Sequence, residues 1–184
     1  MKLKFGVKEL VATAIGAALF FVLGRFVAIP SPIPNTNITL QYGVLAFFAS
    51  VFGPIVGLLS GVIGHFFIDF SMYGSVWWSW VVASAVCGII MGFGMLKVKI
   101  DEGEFDKNAL IRFLIVILVA HLISWVVVAP ILDVLFFAEP ANKVFIQGLV
   151  SALANFVTTA IVGGLLCFAY SATIPKKGSL KEEE

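Results

Sequence analysis

Charge is scarce in this chain: 12% of its 184 residues are Asp, Glu, Lys or Arg, against 60% apolar. A soluble domain of this length exposes too much surface to be so poor in charge. Cysteine is nearly absent as well. Cys87 and Cys167 stand alone inside apolar runs, which excludes a CxxC pair and points to neither zinc nor a disulfide framework. Both read as small buried hydrophobes. The sequence also lacks a GxxxxGK[ST] phosphate loop, an HExxH pair and a GxSxG elbow. ATP hydrolysis by the phosphate-loop route is thereby excluded, and no catalytic residue, metal site or cofactor is expected.

What remains is apolar sequence in long runs, with a mean hydropathy of +1.06. Runs of about 20 apolar residues cross a bilayer core of roughly 30 Å. Six stretches separate at Gly, Pro and polar clusters: about 9–28, 38–52, 54–71, 76–96, 110–137 and 147–170. The first is too long for the apolar core of a signal peptide and reads as a membrane helix. Gly53-Pro54 predicts a tight turn that starts the third helix, and Pro130 predicts a kink in the long fifth one. The expected fold is an all-α membrane protein of six transmembrane helices. Residues 1–175 form one membrane domain, and 176–184 ("KKGSLKEEE") form a charged tail. No internal repeat is visible, which weakens an inverted-repeat transporter reading.

The basic residues give the orientation. Lys2, Lys4 and Lys8, then Lys97, Lys99, Lys107 and Arg112, then Lys176, Lys177 and Lys181 all fall on one side of a six-helix topology. That side holds ten of the twelve, Arg25 and Lys143 being the exceptions. Both termini are therefore expected in the cytoplasm, with "IPSPIPNTNITLQY" (29–42) facing outside. Small residues also recur four apart: Ala12 and Gly16, Ala14 and Ala18, Gly57 and Gly61, Ser84, Gly88 and Gly92. In lipid such ridges let helix backbones approach closely. For the third and fourth helices, packing inside the bundle accounts for them. The first helix has two stripes, and one is free for a second protein.

Ionisable residues inside the spans are costly and become candidates for function. Arg25, His65, Asp69 and Asp133 gather towards the outer end, and only His121 lies near the middle. His65 and Asp69, four apart, share a helix face. They read as an ion pair (or Asp69 as neutralised by Arg25), as part of a proton relay, as substrate contacts, or as half of a metal site without a third ligand. The same level carries "HFFIDFSMYGSVWWSW" (65–80), whose Tyr73, Trp77, Trp78 and Trp80 form either an interfacial belt or a stacking surface for a planar ligand. With the amides of Asn35, Asn37 and Gln41 they make the mixture of aromatic and polar groups found in small-molecule pockets.

The blocks "KELVATAIGAALFFVLGRF", "IPSPIPNTNITLQYGVLAFFASVFGPIVGLLSGVIGHFFIDF", "GSVWWSWVVAS" and "EPANKVFIQGLVSALAN" resemble the substrate-binding S components of energy-coupling factor (ECF) transporters. They look most like the branch labelled ECF-type riboflavin transporter S component. The resemblance runs from about residue 5 to 178. It implies six membrane helices with both ends inside and a vitamin held at the extracellular face, under a loop stiffened by Pro30, Pro32 and Pro34. Combined with the reading of the outer-end residues, the expected substrate-binding set is Arg25, Asn35, Asn37, Gln41, Tyr42, His65, Asp69, Tyr73, Trp77, Trp78 and Asp133. The resemblance also implies a membrane coupling protein, docked on Ala12 and Gly16 or on Ala14 and Ala18, and two cytoplasmic ATPases. Metal-transporting relatives begin Met-His; this chain begins "MKLK", which argues against nickel or cobalt ions. The few charges suit a large, net-uncharged ligand, which places cobalamin first and riboflavin or pyridoxine/hydroxymethylpyrimidine next. The competing readings are a self-sufficient proton-coupled carrier using His65, Asp69 and Asp133, and a membrane scaffold whose polar groups only stabilise the bundle.

Overall fold

The computed structural model describes residues 5–34 and 36–175. The charged tail 176–184, Lys2, Lys4 and Asn35 lie outside the described residues. The chain folds as α1 (Val7–Phe26), a strap carrying β1 (Ile29–Pro30) and β2 (Asn37–Ile38), α2 (Gln41–Phe52), α3 (Pro54–Tyr73), α4 (Trp78–Met95), a 3₁₀ turn (Ile100–Glu102), α5 (Lys107–His121), a π-helical segment (Leu122–Val128), α6 (Ala129–Phe137) and α7 (Ala141–Thr173). α5, the π segment and α6 form one rod, so six rods pass between two ends. Five of them are long and apolar enough to cross a membrane.

The sixth rod, α2, differs from its expected span. Its 12 residues reach only about 18 Å at 1.5 Å per residue. The run expected over 38–52 includes Ile38, but Ile38 and Asn37 instead pair antiparallel with Ile29 and Pro30. Ten of the 12 residues of α2 are buried, so it is the inner rod of the bundle, wrapped by the others. Gly53, at φ 101°, ends α2 and caps α3, and Pro54 opens α3. The deviation expected at Pro130 lies just before it, at the π segment, where no proline stands. Any Cβ at Gly148 of α7 would collide with the carbonyl oxygen of Trp125. The close approach of α7 thus meets the loosened turn at its middle.

One end of the bundle is held by backbone proximity. A Cβ at Gly57, Gly61, Gly88 or Gly92 would strike backbone atoms of the facing helix or of the Gly53-Pro54 turn, as expected of small-residue ridges in lipid. Ala12 packs with Val44, Phe48 and Val56, and Gly16 lies against Ser60 and Phe48. The Ser60 hydroxyl donates to the Thr13 carbonyl at 3.3 Å. That stripe of α1 is therefore used inside the bundle. Ala14 and Ala18 lie exposed on the other face with Val11, Ile15 and Val22.

Candidate functional site

The opposite end holds a cavity of about 300 Å³ between the strap and the ends of α2, α3, α4, α6 and α7. Gly24 of α1 makes room for its floor: a Cβ there would collide with the carboxamide of Gln41 and with Ile68. Tyr42 stands beside Gln41 in an aromatic cluster. It meets Phe20 (5.2 Å), Trp125 (5.1 Å) and His121 (5.7 Å) edge to face, and Trp80 stacks on Trp125 at 5.5 Å. Trp80 and Trp125 both line the cavity and give it a flat indole wall.

Two carboxylates organise the start of α4. Asp133 accepts hydrogen bonds from the indole N–H groups of Trp77 (2.7 Å) and Trp80 (2.8 Å) and from the hydroxyl of Ser79. Asp69 accepts from the backbone N–H of Trp77 at 2.9 Å and faces His65 Nε2 at 3.5 Å. A helix N-terminus favours nearby negative charge, and here two carboxylates use it. A polar chain leads inward from this point. His65 Nδ1 shares a 2.6 Å hydrogen bond with the Ser84 hydroxyl, which shares another of 2.9 Å with Tyr42.

His121 is the buried inner member of the same aromatic cluster and does not line the cavity. Its Nδ1 accepts from the Trp125 indole at 2.9 Å, so its Nε2 carries the proton and donates to Thr159 at 3.0 Å. Both nitrogens are engaged within the bundle, which makes His121 a support for Trp125.

α7 supplies the remaining wall. Gln147, Ser151 and Asn155 follow one another at four-residue spacing, all buried and all lining the cavity. Gln147 donates to the Pro34 carbonyl at 2.7 Å and ties the strap to α7. Glu139 and Lys143 pair at 2.7 Å on the lining. Two buried acceptors in the lining have no partner: Gln41 Oε1 and Asn155 Oδ1. Buried polar groups are nearly always paired in native proteins; the two other orphans, the Ser50 and Ser124 hydroxyls, lie away from the lining.

Of the residues expected at the site, Asn37, Gln41, Tyr42, His65, Asp69, Tyr73, Trp77 and Asp133 line this cavity. Arg25 and Trp78 do not. The Arg25 guanidinium lies over the ring of Phe26 at 5.3 Å, and Trp78 is exposed and packs against Phe66. One helical turn separates the outcomes along α4: Trp77 and Trp80 bond Asp133, whereas Trp78 points away. Asn35 lies outside the described residues. Sequence reasoning passed over Trp125, Gln147, Ser151 and Asn155. The last three were open to it, because a polar stripe at i, i+4 and i+8 in an apolar helix marks one functional face. Among the described residues no cluster of three or more metal-ligating side chains occurs.

The model of the family described as "ECF-type riboflavin transporter, S component" matches residues 4–172. The chain belongs to that family. This S component is also 48% identical to a UPF0397 protein of Enterococcus faecalis, over the whole length of both chains. A UPF0397 protein of Staphylococcus aureus (strain MSSA476) is 46% identical over 99% of each chain. Among solved structures, the S component for biotin from an ECF-type ABC transporter superposes with a TM-score of 0.63 at 20% identity, covering 88% of this chain and 89% of that one. That likeness shows the S-component fold. The family is one of transport subunits rather than enzymes, and its members act with an ECF module.

Proposed function

We propose that this S component is the high-affinity vitamin-binding subunit of an ECF-type importer in a bacterial plasma membrane. Uptake is then driven by two cytoplasmic ATPases acting through a membrane coupling protein. The observation that carries this reading is the cavity beneath the strap, with its indole wall and its two unpaired carbonyl oxygens, Gln41 Oε1 and Asn155 Oδ1. A scaffold has no use for a cavity walled by stacked indoles and a polar stripe from α7. A proton-coupled carrier needs charged groups that change partners, yet Asp133 is held by three donors from one helix end.

Cobalamin remains first among the ligands. Its amide side chains donate hydrogen bonds of the kind the two carbonyls lack, and Tyr73 and Trp77 leave the mouth exposed. A ligand larger than the cavity can seat one edge and leave its bulk at that mouth. Riboflavin and pyridoxine or hydroxymethylpyrimidine come next, because about 300 Å³ lies at the small end of ligand pockets and suits a compact ring. The test is equilibrium binding by the purified chain in detergent, without partners, to cobalamin, riboflavin, pyridoxine, hydroxymethylpyrimidine, thiamine, folate and pantothenate. One tight ligand is expected. A panel without any binder sinks the reading.

Partner docking is assigned to the exposed Ala14 and Ala18 stripe, since Ala12 and Gly16 are already used against α2 and α3. Ala18→Leu is expected to abolish co-purification with the coupling protein and leave ligand affinity unchanged. Retained co-purification would move the docking face elsewhere.

A further inference from the structure

The charges around the cavity are unequal, and that imbalance limits what it can hold. Asp69, Asp133 and Glu139 line it, against one ammonium, Lys143. Lys143 is already committed to Glu139 at 2.7 Å. Even a protonated His65 leaves the balance negative. The start of α4 contributes only about half a positive charge, which two carboxylates share. The hydrogen bonds that Trp77, Ser79 and Trp80 make to Asp133 hold its charge in place without cancelling it. Arg25, at the same end, has its guanidinium over Phe26 and is absent from the lining.

The unpaired groups point the same way. Gln41 is 6% exposed and Asn155 5%, and the carbonyl oxygen of each has no partner. Both are acceptors, and N–H or O–H donors on an occupant would pair them once the two carboxamides turn towards it. A phosphate or carboxylate would bring further acceptors. It would also meet Asp69 and Asp133 in surroundings where like charges repel more strongly than in water.

Resting on the vitamin-binding reading, we infer that this cavity accepts only an uncharged or cationic ligand. It excludes the phosphorylated and carboxylated relatives of that ligand. The importer thereby takes up the free vitamin and rejects the phosphate ester into which cells convert such compounds.

The experiment measures affinity for matched pairs at pH 7 and low salt. The pairs are riboflavin and its 5′-phosphate, pyridoxine and its 5′-phosphate, hydroxymethylpyrimidine and its phosphate, and cobalamin and a monocarboxylic acid made by hydrolysing one side-chain amide. For whichever uncharged member binds, its anionic partner is expected to bind about 10- to 100-fold more weakly. Glu139→Gln frees Lys143 at the lining, and the ratio of the two affinities measured within that variant should fall by about threefold or more. Equal affinity for both members of the pair overturns this inference alone, as does a ratio that Glu139→Gln leaves untouched. Failure of every uncharged member to bind overturns the vitamin-binding reading, and this inference with it.

Discussion

Two halves of the α3–α4 pairing are built on opposite rules. Towards the Gly53-Pro54 turn, Gly57 and Gly61 face Gly88 and Ser84, and backbone meets backbone. From His65 onwards the same two helices meet through side chains: His65 on Ser84, and Asp69 on the backbone N–H of Trp77. The first half contributes packing, the second polar geometry. In lipid, dispersion and close approach drive helix association, so the glycine seam can hold the rods together while the other half opens onto the cavity.

The comparison breaks most easily at the seam. Gly88→Val places a branched side chain against the Gly57 backbone and is expected to cost about 3 kcal/mol or more. Thermal unfolding in detergent reads this as a large fall in Tm. A variant that melts with the parent protein would show that the seam does not carry the bundle.

A smaller effect separates binding from stability. Asn155→Leu removes an acceptor that is buried without a partner. Ligand affinity should fall about tenfold, while stability holds or rises by about 1 kcal/mol. Parallel losses of affinity and stability would make Asn155 a structural residue.

The smallest effect is expected at Trp78, and set beside its neighbour it is the sharpest. Trp78→Ala should leave affinity within about twofold, whereas Trp80→Ala, two positions on, removes half of the stacked indole wall and should cost about tenfold or more. Equal losses at the two positions would mean that the ligand sits outside the cavity.

Much of the architecture is written in local sequence. The Gly53-Pro54 turn is there, and so is the third helix, expected over 54–71 and found as Pro54–Tyr73. Local sequence fails where tertiary contact decides. Ile38 is apolar enough to continue a membrane helix but pairs with Ile29 across the strap, so α2 is shorter than hydropathy suggests. The π segment needs no proline, only a facing helix with Gly148 at the crossing. The site divides in the same way. Asp133 and the tryptophans are visible as costly or bulky residues at one level of the membrane. Which tryptophan turns inward depends on the phase of α4, set by Asp133 from 56 positions away for Trp77.

The π segment has a consequence for how such a protein diversifies. It packs more residues into each turn than an α-helix does, so it stores surplus chain between Trp125 and Asp133. Deleting one residue from Leu122–Val128 would restore ordinary helical winding. The surplus gone, Ala129 to Phe137 would keep nearly the same facing, and Asp133 would still clamp α4. The glycine seam, on other helices, would not notice. A lineage could in this way gain or lose one residue beside the cavity by a single codon change and keep the carboxylate that organises it.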